Sequence, residues 1–131
     1  MSAGFDCNLS ILVVVLPADR ERAKQRITEA VNAVSEKYGV EIEFTDADFE
    51  EYAYSDDHPK TAGCISVYLS VSDIYYNPGW SHDADDAMQE WADMILENVK
   101  WEFVKEARIY ATGYWTERDP DISGSVVWEA S

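Results

Sequence analysis

Among the side chains of this sequence, the carboxylates are the ones most suited to chemistry. The stretch from Glu41 to Asp57 holds eight of them, four aromatic residues and no basic residue. A second set recurs at spacings of four, three and four, as on one face of a helix: Asp86, Glu90, Asp93 and Glu97. Carboxylates in such numbers are able to hold a metal ion, to act as acid and base in catalysis, or to attract a basic partner.

A calcium site is the most specific of these hypotheses. Asp46, Asp48 and Glu50 occupy positions one, three and five of a twelve-residue frame that ends on Asp57. Glu51, however, stands where the turn of an EF-hand needs glycine, and the frame ends on Asp where the EF-hand has a bidentate Glu. The two histidines belong to no paired His or Cys spacing, and no glycine-rich phosphate loop is present. We therefore expect no metal and no cofactor.

Catalytic groups are equally hard to identify. No serine or cysteine lies in a recognisable nucleophile motif. Among 26 acidic residues, chance pairs of carboxylates are inevitable and carry no specificity for glycoside hydrolysis. Cys7 and Cys64 do not form a CxxC pair and are expected to be free thiols. We therefore predict that the protein is not an enzyme.

The net charge of −16 is unevenly distributed. Residues 1 to 38 contain five acids and five bases, so the whole excess lies in residues 39 to 131. A field of this sign repels nucleic acid and anionic membranes, and it steers basic proteins toward the surface that carries it. The sequence thus argues against direct binding to nucleic acid or membranes and favours a basic protein partner.

Length and composition fit a single compact domain over residues 1–131. A chain of this size buries enough apolar surface to fold without metal or disulfides, and 47% of its residues are hydrophobic. Its longest apolar run, Ile11 to Leu16, is much shorter than a membrane span of about 20 residues, and the N-terminus lacks the basic segment of a signal peptide. We expect a cytoplasmic protein.

Hydrophobic periodicity predicts the first two elements. The valine-rich run from Leu9 to Leu16 predicts a strand that is buried on both faces. Apolar residues at spacings of three and four then predict a helix over residues 18–38, ended by Gly39. The polar face of this helix carries a small basic patch, which we interpret as pairing with nearby acids in the folded protein: Arg20, Arg22, Lys24 and Arg26.

The remaining residues alternate between strands and one further helix. We predict strands at 40–44, 62–73, 107–115 and 123–129, and a helix at 83–103. Between the first two of these strands lies a loop or short helical turn. Thr45 or Asp46 caps this turn, and Phe49, Tyr52 and Tyr54 anchor it to the body of the protein.

The resulting order, β-α-β-β-α-β-β, resembles a ferredoxin-like two-layer sandwich with one added strand. In this α+β arrangement, two helices cover one face of a mostly antiparallel sheet. We further expect the first strand and the strand at 62–73 to be parallel neighbours, so that Cys7 and Cys64 begin them at the same end.

The first hypothesis for function is a small acidic inhibitor. It would occupy the basic, nucleic-acid-binding surface of another protein or nuclease complex, as anti-defence proteins of mobile elements and immunity proteins do. The four acids of the second helix would present one charge per ~5 Å of axis, against one phosphate per ~3.4 Å along a DNA strand. The expected partner-binding residues are Asp46, Asp48, Glu50, Glu51, Asp56, Asp57, Asp86, Glu90, Asp93, Glu97, Tyr52, Tyr54, Tyr76 and Trp80.

Two other hypotheses depend on different features. The sheet face that no helix covers carries small polar residues and tyrosines, which suit a ligand-binding or dimerising regulatory module. Its residues are Ser66, Tyr68, Ser70, Tyr110, Thr112 and Tyr114. The third hypothesis is that the acidity adapts the protein to concentrated salt, without mimicry of nucleic acid. The chain is expected to be a monomer or a homodimer.

Overall fold

The apolar run near the N-terminus forms the centre of an antiparallel sheet. The computed structural model describes residues 5–54, 58–76, 84–99, 103–115 and 118–129. Its strands and helices are β1 (Phe5–Val15), α1 (Arg20–Tyr38), β2 (Phe49–Ala53), β3 (Ile65–Tyr76), α2 (Ala84–Asn98), β4 (Glu106–Trp115) and β5 (Arg118–Glu129). The strands lie in the order β2-β3-β1-β4-β5, and every neighbouring pair is antiparallel.

β1 is central because it has a hydrogen-bonded strand on each side. It pairs with β3 from Phe5 to Val15 and with β4 from Phe5 to Val14. Alternate residues of a strand point to the same face, and every second residue of β1 is buried in one core: Cys7, Leu9, Ile11, Val13 and Val15. The predicted strand is therefore present, and it begins at Phe5, before its apolar run. Burial on both faces is only partly confirmed, because Ser10 and Leu12 on the other face are partly exposed.

Both helices pack on this face of the sheet. α1 contacts β1 and β3, whereas α2 contacts β4 and β5, and the buried side chains of both helices join the same core. α1 ends at Gly39, whose φ of 64° is the left-handed conformation of a helix C-cap. Neither helix, in the part of the chain described, is long and apolar enough to cross a membrane. The predicted α+β class, with an antiparallel sheet and two helices, is confirmed.

The second strand lies later in the chain than predicted. The segment 40–44 alternates between buried and less buried side chains, but it pairs with no strand of the described residues. A 3-10 turn at Asp46–Asp48 follows, and Thr45 and Asp48 form a capping box around it. Because this turn redirects the chain, the ladder with β3 begins only at Phe49. The strand prediction for 40–44 is therefore wrong, whereas Thr45 caps the turn as predicted.

β1 and β3 are antiparallel, so the prediction of a parallel pair is wrong. Cys7 lies opposite Ile74, whereas Cys64 directly precedes Ile65, which lies opposite Val15. The two thiols are thus at opposite ends of β1, about 31 Å apart along the strand at ~3.4 Å per residue. Both are free and buried, and burial raises the pKa of Cys7 to about 12.

An aromatic cluster joins α1, α2 and β3. Tyr38, at the end of α1, packs edge-on against Tyr76 and Trp91, with ring centroids 6.2 and 5.9 Å away. Trp91 is fully buried. The hydroxyl of Tyr38 donates a hydrogen bond to the carboxylate of Glu90 on α2. Burial raises the pKa of Tyr38, and this hydrogen bond raises it further by a smaller amount.

The variant Tyr38→Phe tests this hydrogen bond. It keeps the ring but loses the donor, so the free energy of unfolding at neutral pH should fall by about 1 kcal/mol in urea denaturation, with the m-value unchanged. Since the pKa of Tyr38 is raised in the folded state, its contribution is complete below about pH 10 and is lost as the pH rises toward the folded-state pKa. Wild-type stability should therefore fall more steeply above about pH 10 than that of Tyr38→Phe.

Tyr75→Phe is the matched control. The side chain of Tyr75 is 55% exposed, and its hydroxyl makes no hydrogen bond within the described ranges. Equal unfolding free energies for the two variants, together with parallel pH curves, would contradict the structural role of the Tyr38–Glu90 contact.

Candidate partner-binding site

Two of the predicted partner-binding acids are already paired within the molecule. Asp46, in the turn before β2, and Glu51, on β2, both face α1. Lys24 Nζ lies 3.7 Å from Asp46 Oδ1 and 3.3 Å from Glu51 Oε1. Arg20 Nη1 lies 4.0 Å from Glu51 Oε2. The basic patch of α1 therefore pairs with neighbouring acids, and these two carboxylates are partly neutralised before any partner arrives.

Asp48, Glu50 and Tyr52 are exposed but locally bonded. Asp48 caps the turn by accepting a hydrogen bond from the backbone N–H of Thr45, at 2.5 Å. Glu50 accepts a hydrogen bond from the hydroxyl of Tyr52, and this bond is the main cause of the raised pKa of Tyr52. Because Tyr52 lies opposite Ser66, Glu50 and Tyr52 belong to the sheet face away from the helices.

The predicted acidic face of α2 is present but lies apart from these residues. Glu90, Asp93 and Glu97 are exposed. Glu90 accepts the hydrogen bond from Tyr38, and Asp93 accepts one from Gln89 Nε2 at 3.0 Å. α2 packs against α1, β4 and β5, while β2 packs against β3 at the other side of the sheet. α1 therefore lies between the two acidic groups, which do not merge into one surface.

The predicted aromatic contacts divide between core and surface. Tyr76 is only 6% exposed and belongs to the aromatic core, so its assignment to a partner surface is wrong. Tyr54 is half-buried, and its hydroxyl donates to Glu106 Oε2 at 2.7 Å. The other predicted positions lie outside the residues, or the side chains, that the structure describes: Asp56, Asp57, Trp80 and the side chain of Asp86.

The structure reveals an acidic cleft that the sequence did not identify. Its volume is about 730 Å³, and it lies between the segment after α1 and the C-terminal half of β3. Glu41 and Glu43 come from the first wall, and Asp73 and Tyr75 from the second. Alternate burial positions the two glutamates, because Val40 and Ile42 are buried in the core while Glu41 and Glu43, the residues that follow them, face outward. We call this site, lined also by Gly39, Val71, Ser72 and Ile74, the acidic cleft.

The carboxylates of the acidic cleft have no basic partner in the described part of the chain. None of the ion pairs there involves Glu41, Glu43 or Asp73. The bases of α1 are engaged elsewhere: Arg20 and Lys24 with the acids near β2, Arg22 with Asp19, Arg26 with Glu29, and Lys37 over the ring of Tyr38. The cleft is therefore a concentrated negative charge that no basic side chain of the described residues balances.

The chemistry of the cleft is that of a cation receptor. Carboxylates accept hydrogen bonds from lysine or arginine, and these charge-assisted bonds are stronger than neutral ones. No group of three or more His, Cys, Asp or Glu side chains within the described ranges is arranged to hold a metal ion. Sequence alone could have marked Glu41 and Glu43, which open the acidic stretch. Nothing in the pattern connects them with Asp73 and Tyr75, which meet them only through the fold.

The sheet face away from the helices contains a buried carboxylate. Glu106 is 4% exposed. One of its oxygens accepts the hydrogen bond from Tyr54, and the other forms an ion pair with Nε of Arg108. This second oxygen accepts no hydrogen bond from the described residues, but the charge of Glu106 is still paired, because the attraction between opposite charges depends mainly on their distance.

The other predicted residues on this face have mixed environments. Ser66 is buried, and the hydroxyl of Tyr68 donates to Ser10 Oγ at 3.0 Å. Ser70 is exposed, and Tyr110 is 52% exposed. The side chains of Thr112 and Tyr114 lie outside the described part of the chain. The face therefore exposes Tyr52 and Tyr110 on either side of its middle strands, where Tyr68 and Ser10 are hydrogen-bonded to each other.

Comparisons with known proteins give one distant neighbour. No family model matches the chain, and no curated protein matches it. Among solved structures, a phage SAM lyase in complex with S-methyl-5'-thioadenosine is similar over 95% of this chain and 90% of that one, with 13% identity and a TM-score of 0.45. Because this neighbour is an enzyme, our prediction that the protein is not an enzyme is corrected: missing sequence motifs do not exclude catalysis. A likeness of this degree assigns no activity and no ligand to this chain.

Proposed function

We propose that this protein is a small acidic inhibitor that binds the basic, nucleic-acid-binding surface of a partner protein through its acidic cleft. The observation that carries the proposal is the concentration of unpaired charge there. Glu41, Glu43 and Asp73 line one cleft and have no basic partner among the residues that the structure describes, while the bases of α1 are engaged by other groups. A basic surface that normally holds phosphates would supply the missing cations.

The rest of the molecule supports such an association electrostatically. The net charge of −16 attracts a basic protein over long range, and neutralising that charge releases counterions. The exposed acids of α2, Glu90, Asp93 and Glu97, add a row of charge on a rigid element beside α1. These acids contribute to steering, whereas the contacts that fix the partner come from the cleft.

Tyr75 gives the cleft an anchor that charge alone lacks. Its side chain is 55% exposed and lies in the same cleft as the three carboxylates. Exposed tyrosines are frequent hot spots in protein interfaces, because they bury a large area with few rotatable bonds. A lysine or arginine that pairs with a cleft carboxylate would pack its aliphatic stem against this ring.

We also propose a ferredoxin-like description of the fold. The order β2-β3-β1-β4, with a helix before β2 and a helix before β4, is the order expected for that sandwich. β5 would then be the added strand, which pairs with the free edge of β4.

Neutralising the cleft should weaken partner binding. The variant Glu41→Gln/Glu43→Gln/Asp73→Asn removes three charges without changing side-chain size. Immobilised protein is exposed to the DNA-binding protein fraction of the cells that naturally make it, at low and at physiological salt. We expect wild type to retain a basic protein that DNA displaces, and the cleft variant to retain roughly tenfold less, equivalent to about 1.4 kcal/mol.

A second triple variant provides the matched control. Glu21→Gln/Glu29→Gln/Glu36→Gln changes the net charge by the same amount on the exposed face of α1, so it reduces long-range attraction equally. It should retain most of the binding. An equal loss of partner binding in both variants would show that only net charge matters. Partner binding that changes neither with salt concentration nor in the cleft variant would contradict the proposal.

A second candidate function, self-association through the sheet face away from the helices, is favoured by one observation. Both helices cover the opposite face, and Tyr52 and Tyr110 remain 55% and 52% exposed on this one. Aromatic residues with nearby small polar groups suit a face-to-face dimer of a regulatory module.

This candidate predicts a dimer that the tyrosines stabilise. Sedimentation over a wide concentration range should give a mass of twice 14.9 kDa for wild type, and the monomer mass for Tyr52→Ser/Tyr110→Ser. The cleft variant should remain dimeric and serves as the control. A wild-type monomer at all concentrations would contradict self-association and leave the inhibitor as the better account.

A further inference from the structure

β3 has an outer edge that is only half covered. Of its twelve residues, β2 pairs with the five from Ile65 to Leu69. The remaining half, Ser70–Tyr76, pairs with β1 on its inner side, and no strand of the described residues pairs with its outer side. No backbone hydrogen bond within the described ranges joins residues 40–48 to this half. With respect to the described residues, the outer N–H and C=O groups of this half-strand are therefore unpaired, and we call them the open edge.

The capped turn before β2 explains why the edge is open. If the chain before Phe49 continued straight back along β3, residues 45 to 48 would extend the ladder past Leu69. Instead, the capping box of Thr45 and Asp48 turns the chain away at Asp46–Asp48. The segment 40–44 then runs at a distance from β3, and the space between them is the acidic cleft.

We infer that the partner enters this cleft as an extended basic segment and adds to the open edge as a further strand. The inference rests on the proposed inhibitor function and names the element of the partner that is recognised. Unpaired edge groups are a template for another chain, and strand addition takes its affinity from main-chain hydrogen bonds and its specificity from alternate side chains.

The negative charge of the cleft walls favours a basic segment as the occupant. The walls of the cleft carry Glu41 and Glu43 on one side and Asp73 on the other. A segment with lysine or arginine at alternate positions would direct one row of cations to these carboxylates, because every second side chain of a strand points to the same face. An acidic or neutral segment would pair with the same backbone groups but would meet uncompensated repulsion or leave the carboxylates unpaired.

The dimensions limit the occupant to a short segment. The residues that line the cleft, Val71 to Tyr75, span about 14 Å at ~3.4 Å per residue. Asp73, with a φ of 60°, lies in a β-bulge opposite Asn8, and its N–H is bonded to Asn8 Oδ1 at 3.1 Å. The incoming strand therefore takes its hydrogen bonds from residues on either side of the bulge.

The test uses seven-residue peptides of alternating lysine and valine, matched in length to Ser70–Tyr76. Two further peptides carry backbone N-methyl groups, one on all the lysines and the other on all the valines. Only one of these sets can face the open edge, so one N-methylated peptide should lose at least about tenfold in affinity while the other binds like the parent. Deuterium exchange should show slowed exchange at Ser70–Tyr76 with the parent peptide. The Glu-Val analogue should not bind.

The outcomes separate this inference from the proposed function. If the parent peptide binds and both N-methylated peptides bind equally, strand pairing is overturned, while the charge account stands as long as Glu41→Gln/Glu43→Gln/Asp73→Asn weakens binding. If that variant binds the parent peptide as wild type does, the cleft is not the receptor and the proposed function fails with it. Absence of both binding and slowed exchange overturns the strand inference alone, because partner retention is measured independently.

Discussion

The burial of β1 between two full-length partners is the constraint on which the rest of the structure depends. Its apolar side chains require a helical layer on one face and a strand on each side, so β3 and β4 take the adjoining places. The outer edges of the sheet then fall to β2 and β5. Because β2 has only five residues and β3 has twelve, part of β3 keeps an uncovered edge. The acidic cleft is a consequence of this mismatch in strand length.

Charge in this molecule serves two separate purposes. The bases of α1 hold the turn before β2 through Lys24, which lies near both Asp46 and Glu51. Such partly exposed pairs contribute little individually, about 0–1 kcal/mol each, but they bring a highly acidic segment against the helix without repulsion. Among the described acids that no base pairs with are those of the cleft and the outer face of α2. Their surplus is functional in our account, since unpaired like charges at close range destabilise the folded state.

Sequence reasoning was most accurate where burial alone decides the outcome. The valine-rich β1, the apolar stripe of α1 and its stop at Gly39 follow from periodicity, and the structure contains all three. The pattern at 40–44 also correctly distinguished buried from exposed side chains, yet it could not reveal that the chain lies too far from β3 to form a ladder. That distance depends on the turn at Asp46–Asp48, a local hydrogen-bond choice. Likewise, Asp73 and Tyr75 reach Glu41 and Glu43 only through the register of β3, which no local pattern encodes.

In the proposed complex, the acidic cleft contacts the partner. Carbodiimide cross-linking of the retained complex, followed by peptide mapping, would locate this contact, because the reagent joins a carboxylate to a lysine only where the two are in contact. We expect cross-links from Glu41, Glu43 or Asp73 to lysines of the partner. Cross-links confined to Glu90, Asp93 and Glu97, with none in the cleft, would contradict this expectation and assign binding to α2.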